Sequence, residues 1–254
     1  MKLMVLVLFS GLFAGILISL EVGYRIGRCS SKRNPERGFE GVGAMEAAIF
    51  SLLGLLLAFS FSGATSRFDA RRQLIVQEAN AIATAYQRLD LAPTDQPELH
   101  HLFREYLDAR LQGFQQILDR PRADEQFARA AQIEQQIWAR ALAAGREDPT
   151  QNVNRLLLPA LNQMSDVANQ RSIALETYMP ELVFWLLVGV VLMSGVLAGH
   201  AMARRPQRSW LHMLLFSAVI SLTVTVMFDF NYPRYGLIRI DAADRLLLQL
   251  RESM

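Results

Sequence analysis

Few side chains in this sequence have the type and setting for chemistry. Glu46 is the one carboxylate inside an apolar run long enough to cross a membrane. An ionisable group there is costly, so it counts as a site hypothesis in itself. Ser51, Gly54, Ala58 and Ser62 follow it at intervals of three or four, with Ala44 and Ala47 before them. That period places the small residues on one side of a helix. Such a face suits a water-filled path lined by hydroxyls, and it equally suits close packing of helices in lipid. Both readings stand at this point. Glu46 also has two: it lies only a few residues into its run, as either an interfacial carboxylate or a pathway residue.

The remaining candidates are sparser. His200 and His212 flank a connection rich in arginine, Arg204–Arg208, a setting for interfacial titration or lipid headgroups. His100 and His101 are adjacent, so on a helix they point in different directions, and no carboxylate or thiolate completes a metal set beside them. Cys29 is the single cysteine, which excludes an internal disulfide or a thiolate cage. Phosphate-cradling glycine loops, zinc-peptidase helices, nucleophile elbows and calcium loops are absent from the sequence. No catalytic residue, metal or cofactor is expected.

The elements that must position these residues are membrane spans. The 254 residues are 52% hydrophobic and 20% charged, with mean hydropathy +0.17, below the roughly 25% charge of soluble domains. The apolar excess is concentrated in four runs, about 3–20, 42–64, 182–203 and 209–228. Each reaches the ~18 residues needed to cross a bilayer. This composition excludes a cytosolic enzyme, a secreted disulfide scaffold and a disordered tail, and the net charge of +2 gives no footing for nucleic acid. The first run is longer than a signal-peptide core and lacks a small-residue cleavage site, so it is expected to be retained as a span.

An all-α protein follows. Residues 1–64 hold two spans and a basic loop, 65–180 an extramembrane helical domain, 181–228 spans three and four, and 229–254 a tail. The domain carries 13 Lys+Arg and 15 Asp+Glu over 65–180. Its first helix runs on from span two, with Phe68, Ile75, Ala79, Ile82, Tyr86 and Leu89 in heptad spacing. Shorter helices are expected over 97–119 and 123–144, with Leu118 and Trp138 on inward faces and Gly145 just past the second. A fourth, 152–178, carries Leu157, Leu161, Met164, Ala168, Arg171, Leu175 and Tyr178 and leads into span three. Each stripe can bury itself within one protomer or between protomers. In span three, Gly195 and Gly199 form a GxxxG pair suited to helix packing.

The stretch Leu52–Ser62, running into Ser66-Arg67-Phe68-Asp69-Ala70-Arg71-Arg72 and then Gln77–Ile82, resembles bestrophins. With the tail Asp229–Ile240, it is most similar to the bestrophin-like domain family of bacterial membrane proteins. The resemblance implies a homo-oligomer, a pentamer as in bestrophins, that passes small ions through the bilayer of the bacterial inner membrane. Ser51, Gly54, Ala58 and Ser62 would then line the pore, and Arg67, Asp69, Arg71 and Arg72 would mark the span exit. The acidic calcium clasp of animal bestrophins has no counterpart, since Asp241-Ala242-Ala243-Asp244 is too sparse. The alternative is a non-conducting sensor or scaffold whose helical domain binds a partner. Orientation sets two arguments against each other. Bestrophins keep this domain in the cytosol, whereas the short connections 21–40 and 204–208 hold 5 and 3 basic residues. The positive-inside rule weights short loops most, which expects the domain in the periplasm.

Overall fold

The computed structural model describes residues 2–33, 42–94, 96–203, 209–232 and 241–254. The connection 204–208, residues 34–41 of the first loop and residues 233–240 of the tail lie outside the described residues, as do the side chains of 241–244. Among the described residues all regular structure is helical. The helices are α1 (Lys2–Arg33), α2 (Val42–Gln87), α3 (Gln96–Gln115), α4 (Arg120–Glu147), α5 (Leu158–Glu176), α6 (Glu181–Met202), α7 (Trp210–Asn231) and α8 (Asp241–Ser253). Four helical segments are long and apolar enough to cross a membrane, and they contain the four apolar runs of the sequence.

Prolines set several of the boundaries. A 3₁₀ turn, Arg88–Leu91, closes α2 before Pro93. A π-helical stretch, Val153–Leu157, precedes Pro159 in the first turn of α5. The widened turn suits a residue that lacks an N–H and crowds the carbonyl four positions back. The fourth helix does not continue into span three as expected. Thr177 turns extended, with ψ 99°, and α6 restarts after Pro180, because proline disfavours helix at the residue before it and donates no hydrogen bond itself.

The chain divides into two compact units. The first comprises Met1–Phe68 and Tyr178–Ile238. In it α1 packs on α6 and α7, around a core that includes the fully buried Ile16, Leu20, Val191, Val224 and Met227. The second comprises Asp69–Thr177 and Arg239–Met254. Both heptad stripes turn inward there: Ile75, Ala79, Ile82 and Leu89 are buried in the same chain as Leu157, Leu161 and Met164, so each stripe is core within one protomer. Trp138 and Leu118, expected inward, are 36% and 53% exposed, while their neighbours Ile137 and Phe114 take the buried positions. Gly145 lies inside the last turn of α4 and not beyond it. A Cβ on Gly145 would meet Asn154 Oδ1 at 2.5 Å, so glycine is needed there for close packing.

The second unit also gathers α8. Leu247 is fully buried among the core residues of this unit. Arg251 donates from Nε and Nη2 to the Asp108 carboxylate at 2.7 and 2.9 Å. Arg104 and Tyr86 both donate to the Met254 carbonyl.

Candidate functional site

On the span of α2 one narrow stripe is packed and the rest of the surface, small and large residues alike, is exposed. Leu53 and Ala64 are buried. The Phe50 ring meets Phe216 edge-on at 6.4 Å, and Phe68 meets Phe230 at 5.3 Å. Ser51, Gly54, Ala58 and Ser62, together with Ala44 and Ala47, are exposed. A Cβ on Gly54 would find nothing within 4 Å. Among the described residues the small face is left uncovered, and so are Leu52, Leu55 and Phe59 further around the helix; packing is confined to a narrow stripe through Phe50, Leu53 and Ala64.

Glu46 is not part of that face. It lies five residues before Ser51, about 140° around the helix, and on the packed side. Its side chain is 12% exposed, and Oε1 sits 3.8 Å from His200 Nδ1 on α6. Glu46 and His200 are thus brought together, a pairing that the sequence did not suggest. His212 bonds locally with Ser209, and His100 Nε2 lies 3.1 Å from Asp90 Oδ1. Among the described residues no group of His, Cys, Asp and Glu could hold a metal ion.

The four residues of the span exit do different things. Arg67 Nε donates to Asn231 Oδ1 at 3.0 Å, and Asn231 Nδ2 in turn donates to Met227 O at 3.1 Å. Arg71 is buried and donates to the carbonyls of Ala174 and Thr177 at 3.0 and 2.7 Å. It thereby satisfies carbonyls that the end of α5 leaves without helical partners, and it places a cation at the negative end of the helix dipole. Asp69 and Arg72 are exposed.

Gly195 and Gly199 lie where α6 meets α1. A Cβ on Gly199 would stand 2.0 Å from Leu20 O, and one on Gly195 would stand 3.1 Å from Ser19 Cβ. The partner surface is a second GxxxG, Gly23 and Gly27, whose added Cβ atoms would meet Val196 O at 1.9 Å and Ala203 Cβ at 2.6 Å. This second pair is readable in the sequence and was missed there. So was a polar seam on α7, where Ser217, Ser221, Thr225 and Asp229 repeat every four residues and are all buried.

The most heavily charged interior position was also missed. Glu78 is fully buried between Arg110 and Arg171, which are 5% and 2% exposed. Arg110 Nε donates to Glu78 Oε1 at 2.8 Å, and Arg171 Nη1 donates to Glu78 Oε2. Phe114 covers both guanidinium groups, with Cζ of Arg171 and Arg110 at 3.4 and 5.0 Å from its centroid. Burial alone would lower the Arg110 pKa, but the Glu78 carboxylate outweighs it and holds that pKa above the usual value. Burial raises the neighbouring Tyr106 phenol well above its ordinary range. The available signal was Arg171, a charge standing in a heptad stripe where an apolar residue is expected.

Four apolar helices and a largely apolar interior define an all-helical membrane protein. The model of the Bestrophin-like domain family matches residues 14–244, nearly the whole chain, and the protein belongs to that family. No curated protein and no solved structure matches it.

Proposed function

We propose that the protein assembles as a symmetric homo-oligomer in the bacterial inner membrane, with α2 nearest the axis, and passes small ions. The observation that carries this reading is the uncovered small-residue face of α2, Ser51, Gly54, Ala58 and Ser62, which adjoins the narrow stripe through Phe50, Leu53 and Ala64 that packs within the protomer. Small and hydroxylated side chains around an axis leave room for water and ions. A monomeric scaffold would use such a face to pack its own spans, and here those spans pack elsewhere. The pentamer remains an implication of the family likeness. Chemistry on a substrate forms no part of the reading. Glu46, on the packed side beside His200, acts in it at the membrane surface and not as a pore ring.

The charge of the short connections supports an orientation with the helical domain in the periplasm. Arg25, Arg28, Lys32 and Arg33 lie in the last turns of α1, beyond its apolar run, and Arg37 follows them in the sequence, while Arg204, Arg205 and Arg208 belong to the other connection. The mass of the detergent-solubilised particle tests the assembly. A multiple of the 28.6 kDa chain is expected, and a strictly monomeric particle would overturn the proposal.

A further inference from the structure

A small cavity of about 70 Å³ opens in the first unit where α6 begins and α7 ends. Its walls are mostly aromatic. Phe184 stands 5.8 Å from Phe228, and Phe228 stands 4.6 Å from Tyr232, which stacks on Tyr178 at 4.9 Å. Trp185, 65% exposed, forms the outer wall. Among the described residues that line the cavity Glu181 is the one charged residue, and it makes no ion pair or hydrogen bond with any described residue.

Aromatic faces around a small cavity with a carboxylate at the rim are the chemistry that holds an ammonium group. The α6 N-terminus opposes a cation with about half a positive charge. Glu181, a full negative charge in the same turn, outweighs it. A second cation decides the ligand class more finely. Asn231, which also lines the cavity, accepts a hydrogen bond from Arg67 Nε. That guanidinium lies behind the Asn231 side of the wall, where its charge disfavours a bare amine and favours a ligand that carries a phosphate beside its ammonium. Tryptophan and tyrosine at the ends of apolar helices belong at the depth of lipid headgroups.

We infer that this cavity binds a zwitterionic ammonium-phosphate group of the phosphoethanolamine type, with the ammonium against Glu181 and the rings and the phosphate towards Arg67. The source is either a lipid headgroup or the free zwitterion. The site does not depend on ion conduction.

The test uses the full-length protein in detergent with Trp138→Phe and Trp210→Phe, which leaves Trp185 as its single indole. Short-chain phosphatidylethanolamine is titrated while Trp185 emission is followed, with short-chain phosphatidylglycerol and soluble phosphoethanolamine in parallel. A saturable change with phosphatidylethanolamine, at least about five-fold tighter than with phosphatidylglycerol, is expected. Glu181→Gln should weaken it by a similar factor. Phe228→Leu, which keeps apolar bulk but removes a π face, should weaken it too. Equal affinity for phosphoethanolamine assigns the site to the free zwitterion, and weaker affinity assigns it to the lipid. Indistinguishable titrations with the two lipids, the absence of saturation, or an unaltered affinity in Glu181→Gln would overturn the proposal.

Discussion

Replacing Glu78 with glutamine keeps the shape and one acceptor oxygen but removes the charge that two buried guanidinium groups share. In the native arrangement its two oxygens take hydrogen bonds from Nε and Nη2 of Arg110 and from Nη1 of Arg171. Phe114 lies against both cations, so water cannot easily replace the carboxylate. Removing one partner of a buried pair costs about 3–5 kcal/mol, because the other charge stays desolvated. Glu78→Gln strands two charges, which places it at the upper end of that range. Arg171→Met is the informative contrast. It leaves one carboxylate facing one guanidinium and puts an apolar chain against Phe114, so its cost should stay below about 2 kcal/mol. Chemical denaturation of the purified protein, followed by far-UV circular dichroism, measures both. Glu78→Gln within about 1 kcal/mol of wild type, or Arg171→Met costing more than Glu78→Gln, would refute the reasoning.

Other consequences follow from local geometry. Gly199→Ala places a Cβ 2.0 Å from Leu20 O, so α1 and α6 must separate, at a cost of about 3 kcal/mol or more. Gly54→Ala, which meets open space, should leave the melting temperature unchanged, and thermal unfolding in detergent compares the two. The Thr150 hydroxyl and then the Val153 N–H hold the Asp148 carboxyl below its usual pKa. The stability it contributes is therefore present above the ordinary aspartate value of about 3.9 and is lost as pH falls through the lower folded value. Asp148→Asn should flatten the acid limb of a stability-against-pH curve, and an unchanged acid limb would deny Asp148 that role. Cys29 is exposed and should resist a membrane-impermeant maleimide in intact spheroplasts but react after lysis. Prompt labelling before lysis would place the helical domain in the cytosol.

The spans were legible because uncharged apolar runs of this length have few other uses, and the buried stripes on α2 and α5 because heptad spacing survives into three dimensions. Glu46 was legible as an unusual residue but not in its direction. Its place in the apolar run left an interfacial and a pathway reading open, whereas its helical phase turns it from Ser51 towards His200, a residue more than 150 positions away. Long-range pairing explains the other omissions. Glu78 meets Arg110 and Arg171 across 32 and 93 residues, and Arg251 meets Asp108 across 143. No local pattern in the sequence encodes such partners. The break between α5 and α6 was partly readable: Pro180 marked the place, but the heptad ending on Tyr178 carried the helix too far.

Ion flux through Ala58→Trp reconstituted in liposomes tests the central claim most directly. Ala58 is exposed on the small face of α2, so an indole there disturbs nothing inside the protomer and fills the space around an axial path. The account predicts that wild-type protein conducts and that the variant, with an unaltered particle mass, loses flux by at least about ten-fold. Wild-type liposomes no leakier than empty ones, or a variant that conducts as well as wild type, would contradict it.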